Sequence, residues 1–141
     1  MVAVLRVSYG KEPFGTLFSA YTIPKRIVSV CLEYHEAGSC RDANGNAVPG
    51  AISSTLAALG RVEQQVDNSA GGAGDQTVRI ATGVFQYDNS AASGAVTLAQ
   101  VGKDCYIVDD HSVTAANAAN NKSVAGTVFD VDASGVWVKF N

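Results

Sequence analysis

The sequence is short of charge, of long apolar runs and of paired cysteines, and each shortage removes a class of protein. Asp, Glu, Lys and Arg together make up 16% of the 141 residues, against about 25% in a typical soluble domain. Ten Lys and Arg face thirteen Asp and Glu, for a formal net charge of -3. Binding to nucleic acid through phosphate contacts needs a basic face, so this balance argues against that partner. No apolar run approaches the 18 or so residues of a membrane helix. The start, Met1-Val2-Ala3-Val4-Leu5-Arg6-Val7, turns polar too soon for a signal peptide. The expectation is a soluble, non-secreted chain with no membrane partner. Cys31, Cys40 and Cys105 are an odd number without short pairing, unlike the dense, even framework of a secreted scaffold. Free thiols in a reducing cytoplasm are expected, although spacing alone leaves a Cys31–Cys40 bridge open.

What is present points to strands. Hydrophobic residues are 47% of the chain, enough for a core, and the length fits one domain. Nineteen valines suit a pleated surface and fourteen glycines suit turns. Gln76 to Thr82 alternates, with Val78 and Ile80 inward and Thr77 and Arg79 outward. Gly83 interrupts, and Val84 to Tyr87 resumes, as a bulge or bend in one long strand. Cys105 to Val108 reads as a short buried strand. Val124 to Val131 and Val136 to Phe140 read as a hairpin around Asp132-Ala133-Ser134-Gly135, with Gly135 left-handed. Ile27 to Leu32 reads as a strand after Pro24, Asp42 to Asn46 as a turn, Ile52 to Leu59 as a short helix and Gly60 to Val66 as a strand. The small-residue stretches 67–75, 89–95 and 114–121 read as loops too polar for the core. Sustained helical periodicity is absent. The expected fold is all-β, a single-domain β-sandwich or small β-barrel with an extended N-terminal arm (1–22), a β domain (23–141) and long loops.

Each candidate for chemistry has a plainer competitor. Cys31, His35 and Cys40 are zinc-ligand types within ten residues, but no fourth ligand stands at a paired spacing. Cys105, Asp109, Asp110 and His111 contain the parts of a nucleophile relay. No nucleophile elbow accompanies them, and a core cysteine before a solvated turn explains them better. Asp130-x-Asp132-x-Ser134-Gly135 matches half of a calcium loop, but a strand follows and Asn141 stands where a bidentate Glu is needed. No metal, cofactor or catalytic residue is assigned. Contact residues are a different matter. Tyr9, Phe14, Phe18 and Tyr21 are apolar anchors with no regular element to bury them, so the arm is expected to dock on a partner. An edge strand of its own barrel is the alternative. Trp137 alternates with the inward valines, which makes it either a contact residue or core covered on both faces.

A resemblance joins these pieces. Val66 to Gly72, Thr77-Val78-Arg79 with Gly83-Val84-Phe85, Val101-Gly102-Lys103 with Cys105 to Asp110, and Ala125-Gly126 with Val131 to Val138 resemble segments of small head proteins of tailed bacteriophages. Asn44 to Gly50 fits the same pattern. The family is that of capsid cement, or head decoration, proteins, including the Mu-like siphophage type, and the likeness spans residues 42–140. It implies a non-enzymatic virion protein, assembled in the host cytoplasm, that binds the major capsid protein on the outside of an icosahedral shell and stabilises it. It also implies self-association, commonly as a homotrimer. The competing expectations are a β-sandwich module binding a ligand or glycan through exposed aromatics, and a small hydrolase using Cys105 and His111.

The thiol reading is directly measurable. Titration under denaturing, non-reducing conditions is expected to give about three thiols per chain; about one shows that a disulfide exists.

Overall fold

The computed structural model of the chain describes residues 17–22, 38–63, 66–68, 70–72 and 74–140, the first of these as backbone. Ten strands run through them: β1 (Leu17–Thr22), β2 (Gly38–Arg41), β3 (Ala47–Pro49), β4 (Ala57–Val62), β5 (Thr77–Thr82), β6 (Val84–Asn89), β7 (Asp104–Ile107), β8 (Ser112–Thr114), β9 (Val124–Asp132) and β10 (Gly135–Lys139). They form an open sheet in the order β1-β5-β4-β2-β3 and a closed barrel in the order β10-β6-β8-β7-β9. Every pairing is antiparallel except β6 with β8. The all-β expectation is met by a small barrel with a curled sheet beside it.

The pattern of alternating residues explains the strands that sequence reading placed. Val78 and Ile80 of β5 are fully buried while Thr77 and Arg79 are exposed. Val136, Val138 and Phe140 point into the barrel, and Lys139 is exposed between them. The β9–β10 loop is set by Asp132, whose Oδ1 accepts the backbone N–H of Ser134 at 2.7 Å and of Gly135 at 3.2 Å. That local capping is why Asp begins such turns. Gly135 has φ +151°, and a side chain there would run into the Tyr87 carbonyl of β6. Close approach of a neighbouring strand, as well as the positive φ, therefore selects glycine.

Two apolar clusters result. The larger fills the barrel with Phe85, Tyr87, Cys105, Ile107, Val113, Ala125, Val128, Val136, Val138 and Phe140, and extends to Cys40 and Ala81 of the sheet. Phe140 packs against Phe85 and Tyr87, at ring-centroid distances of 6.2 and 5.8 Å. The smaller joins Ala47, Val62, Val66, Val78 and Ile80 on the other face of the sheet. Sheet and barrel meet along a seam. Across it the Gly38 N–H donates to the Asp110 carbonyl at 2.5 Å, and Ala51 bridges Asp109. Ser123 Oγ donates to the Ser53 carbonyl at 2.6 Å, and the Arg61 guanidinium lies 4.2 Å from the Phe85 ring centroid. A cavity of about 20 Å³ sits in the seam between Cys40, Ala58, Tyr87, Ile107 and Phe140.

Four expectations need correction. Ile52 to Leu59 is not a helix: residues 52–56 are irregular and β4 begins at Ala57. Strand pairing with β2 and β5 on both sides of β4 outweighs a weak helical preference. The strand expected from Gly60 to Val66 accordingly starts earlier and ends at Val62. Gly83 does not bend one strand within a sheet but hands the chain from the open sheet (β5) to the barrel (β6). Finally, Asn68, in a stretch read as too polar for the core, is only 2% exposed, with its side-chain amide donating to the Gly72 carbonyl at 2.9 Å. Residues 17–22, the end of the expected arm, pair with β5 from Leu17 opposite Thr82 to Thr22 opposite Thr77. These six residues form an edge strand of the open sheet; residues 1–16 of the expected arm lie outside the described residues. The strand expected over 27–32 lies outside the described residues.

Gly135→Val is expected to lower stability by about 2–3 kcal/mol, because a branched side chain must displace the Tyr87 carbonyl. Chemical denaturation of the purified variant checks this; an unchanged midpoint contradicts the packing described.

Candidate interaction surface

Trp137 is the one expected contact residue whose side chain the structure describes. Tyr9 and Phe14 lie outside the described residues, and Phe18 and Tyr21 are placed on β1 by backbone alone. Trp137 stands on the outer side of β10, opposite Asp130 of β9 and Gln86 of β6, and is half-buried. Its indole Nε1–H donates to Asp132 Oδ2 at 2.8 Å. The same carboxylate that caps the hairpin turn through Oδ1 thus holds the ring through Oδ2. That hydrogen bond, with those from Ser134 and Gly135, keeps the Asp132 carboxyl below its ordinary pKa.

Beside it the sequence reading missed an apolar display. Val128 and Val131 both pack toward the barrel core although their separation is odd. Strict alternation would point one of them outward. The conflict is resolved by a bulge: Trp137 pairs with Asp130 and Val138 with Val128, so Phe129 is the extra residue. Phe129 and Asp130 are consequently both exposed, Phe129 by 60%. The odd spacing of the two valines was the available signal. Alongside runs the turn 98–103, stapled to β9 because the Gly102 N–H donates to the Val128 carbonyl at 2.8 Å and the Val128 N–H to the Lys103 carbonyl at 2.9 Å. At its start Gln100 Oε1 accepts the Thr97 N–H at 2.8 Å. This turn presents Leu98, 68% exposed, and Val101, 44% exposed. Nothing in the local sequence distinguishes these from buried leucine and valine; only the turn's position on the barrel does.

The other candidates are engaged locally. Burial pushes the Cys105 thiol up to about 12, and its S–H donates to the Gly126 carbonyl at 3.6 Å. His111 is exposed on a turn, its Nδ1 2.9 Å from Asp110 Oδ1 and 3.3 Å from Asp109 Oδ1. The thiol faces the core and the imidazole faces solvent, so the parts of a relay are not brought together. Cys40 is buried and likewise pushed up to about 12; Cys31 and His35 lie outside the described residues. In the half-calcium motif, Asp132 is taken up by the hairpin turn and the indole, and Asp130 Oδ1 accepts the Val131 N–H at 2.8 Å. Among the described residues no helix is long and apolar enough to cross a membrane. No protein-family model, curated protein or solved structure matches this chain.

Trp137 is the single tryptophan, so its emission reports the Asp132 contact directly. A carboxyl with a depressed pKa contributes its interaction above its ordinary value and loses it as pH falls through the depressed one. Trp137 emission is therefore expected to shift with a midpoint below the ordinary Asp value of 3.8. Asp132→Ala is expected to abolish that shift while circular dichroism stays native; a midpoint above that value contradicts the contact.

Proposed function

We propose that this protein is a structural component of a tailed-phage virion, a cement or decoration protein that binds the outside of the icosahedral shell and stabilises it as an oligomer, most simply a homotrimer. The observation that carries the reading is the exposure of Leu98 and Val101 on a turn bonded to β9, and of Phe129 at the β9 bulge, on a closed barrel. Water-exposed large apolar side chains held together by a rigid scaffold favour contact with another protein, and aromatic residues are preferred anchors there. Low charge suits a protein largely covered by neighbours. The resemblance of residues 42–140 to head decoration proteins supplies the partner, a major capsid protein.

Sedimentation velocity and co-sedimentation with intact shells of its own phage test the proposal. The wild-type protein is expected to sediment as an oligomer and to pellet with shells. The double variant Leu98→Asp, Phe129→Asp is expected to keep its melting temperature and to bind shells at least about tenfold more weakly, as loss of interface anchors does. Undiminished binding by the variant, or a monomer that ignores shells, overturns it. Retention on a glycan array without shell binding favours the glycan-binding alternative.

A further inference from the structure

We propose that the Asp109–His111 turn is a pH-sensitive latch on the seam between sheet and barrel, closed when His111 carries a proton and looser when it is neutral. The geometry places both functions in three consecutive residues. Their backbone holds the seam: the Asp110 carbonyl accepts the Gly38 N–H at 2.5 Å, and Asp109 bridges Ala51. Gly50 fits so closely that a Cβ there would lie 2.7 Å from the Asp109 carbonyl oxygen. The side chains of the same residues converge on one imidazole, with Asp110 Oδ1 at 2.9 Å and Asp109 Oδ1 at 3.3 Å from His111 Nδ1. Asp109 Oδ1 also accepts the His111 N–H at 3.0 Å. Protonating the ring turns these contacts into charge-assisted ones and fixes the turn; a neutral ring leaves two adjacent carboxylates facing each other with one weak donor between them.

The surroundings reinforce this direction. Asp88 of β6 is the further charge felt by the imidazole, and the backbone of that strand is tied to the turn, the Asp88 N–H donating to the His111 carbonyl at 2.8 Å. Across the seam β2 brings Gly38, Ser39 and Cys40 toward the cavity beside Asp109, and the Cys40 thiol is neutral. Among the described residues, the charges that act on the ring are all negative. The hydrogen bond with Asp110, then the fields of Asp109, Asp110 and Asp88, raise the pKa of His111 above its ordinary 6.5 despite a smaller opposing effect of burial. A raised pKa means that the stabilisation is complete below 6.5 and is lost as pH climbs through the higher folded-state value. The imidazole is 57% exposed, so solvent limits the effect to the range of a surface ion pair.

Amide hydrogen exchange on the full chain, corrected for the intrinsic pH dependence of exchange, reads the latch. The Gly38 amide is expected to lose about two- to fivefold of its protection between about pH 5.5 and about pH 8.5. The Val128 amide, which bonds within the barrel at Lys103, is expected to stay constant. In His111→Gln the Gly38 protection is expected to be flat across that range. A pH-dependent loss that persists in His111→Gln overturns the proposal, as does a wild-type protein in which Gly38 does not change. Should that variant fold poorly, the wild-type protein decides alone: the midpoint of the Gly38 change must coincide with the NMR titration of the His111 ring, and a mismatch overturns it. None of these outcomes depends on whether the protein binds a shell.

Discussion

The parallel pairing of β6 with β8 closes the barrel, and most of the molecule depends on it. It is a short ladder, Asp88 opposite Ser112 and Asn89 opposite Val113, extended by hydrogen bonds from Asp88 to His111 and from Ser90 to Val113. Without it β6 and β8 would be sheet edges, and Phe85, Tyr87 and Val113 would face water. Closure also organises the chain beyond β6. Asn89 mimics a strand partner, its side chain bonding both the N–H and the carbonyl of Val96. Thr114 and Ala115 then hold the Gly94 carbonyl, so the 90–97 loop is folded back on the barrel with Val96 buried.

The architecture accounts for the unusual composition. The open sheet has apolar contacts on both faces: Ile80 belongs to the smaller cluster and its neighbour Ala81 to the larger. Two cores among the described residues leave few positions there for charge. Where sheet and barrel touch, small residues (Gly38, Gly50, Ala58, Ala125) let the backbones approach. These glycines and alanines are packing residues as well as backbone ones.

Legibility followed the range of the deciding interaction. The hairpin around Asp132 and Gly135 and the alternation of Val78 and Ile80 are decided within a few residues, and the sequence displays them. The strand β4 has the local look of a helix because its neighbours, β2 and β5, are distant in sequence and settle its state. Gly83 announced a break, but which sheet receives the chain afterwards depends on β10 and β8, not on local residues. Of the candidate surface, the outward position of Trp137 was legible from its alternation with the inward valines. Phe129 required comparing Val128 with Val131, and Leu98 and Val101 required the turn 98–103 to be docked on β9.

The bulge at Phe129 also governs how this chain tolerates insertions and deletions. In a regular strand, gaining or losing one residue sends every later side chain to the opposite face, so length changes are harmful unless they come in pairs. The β9–β10 ladder already absorbs one unmatched residue between Val128 and Asp130. At that point alone in the hairpin, the chain can shorten by one and keep Val128 and Val131 facing inward, in register with Val138 and Val136. What such a shortening removes is the exposed phenylalanine, so retention of the extra residue separates the demands of the surface from those of the core.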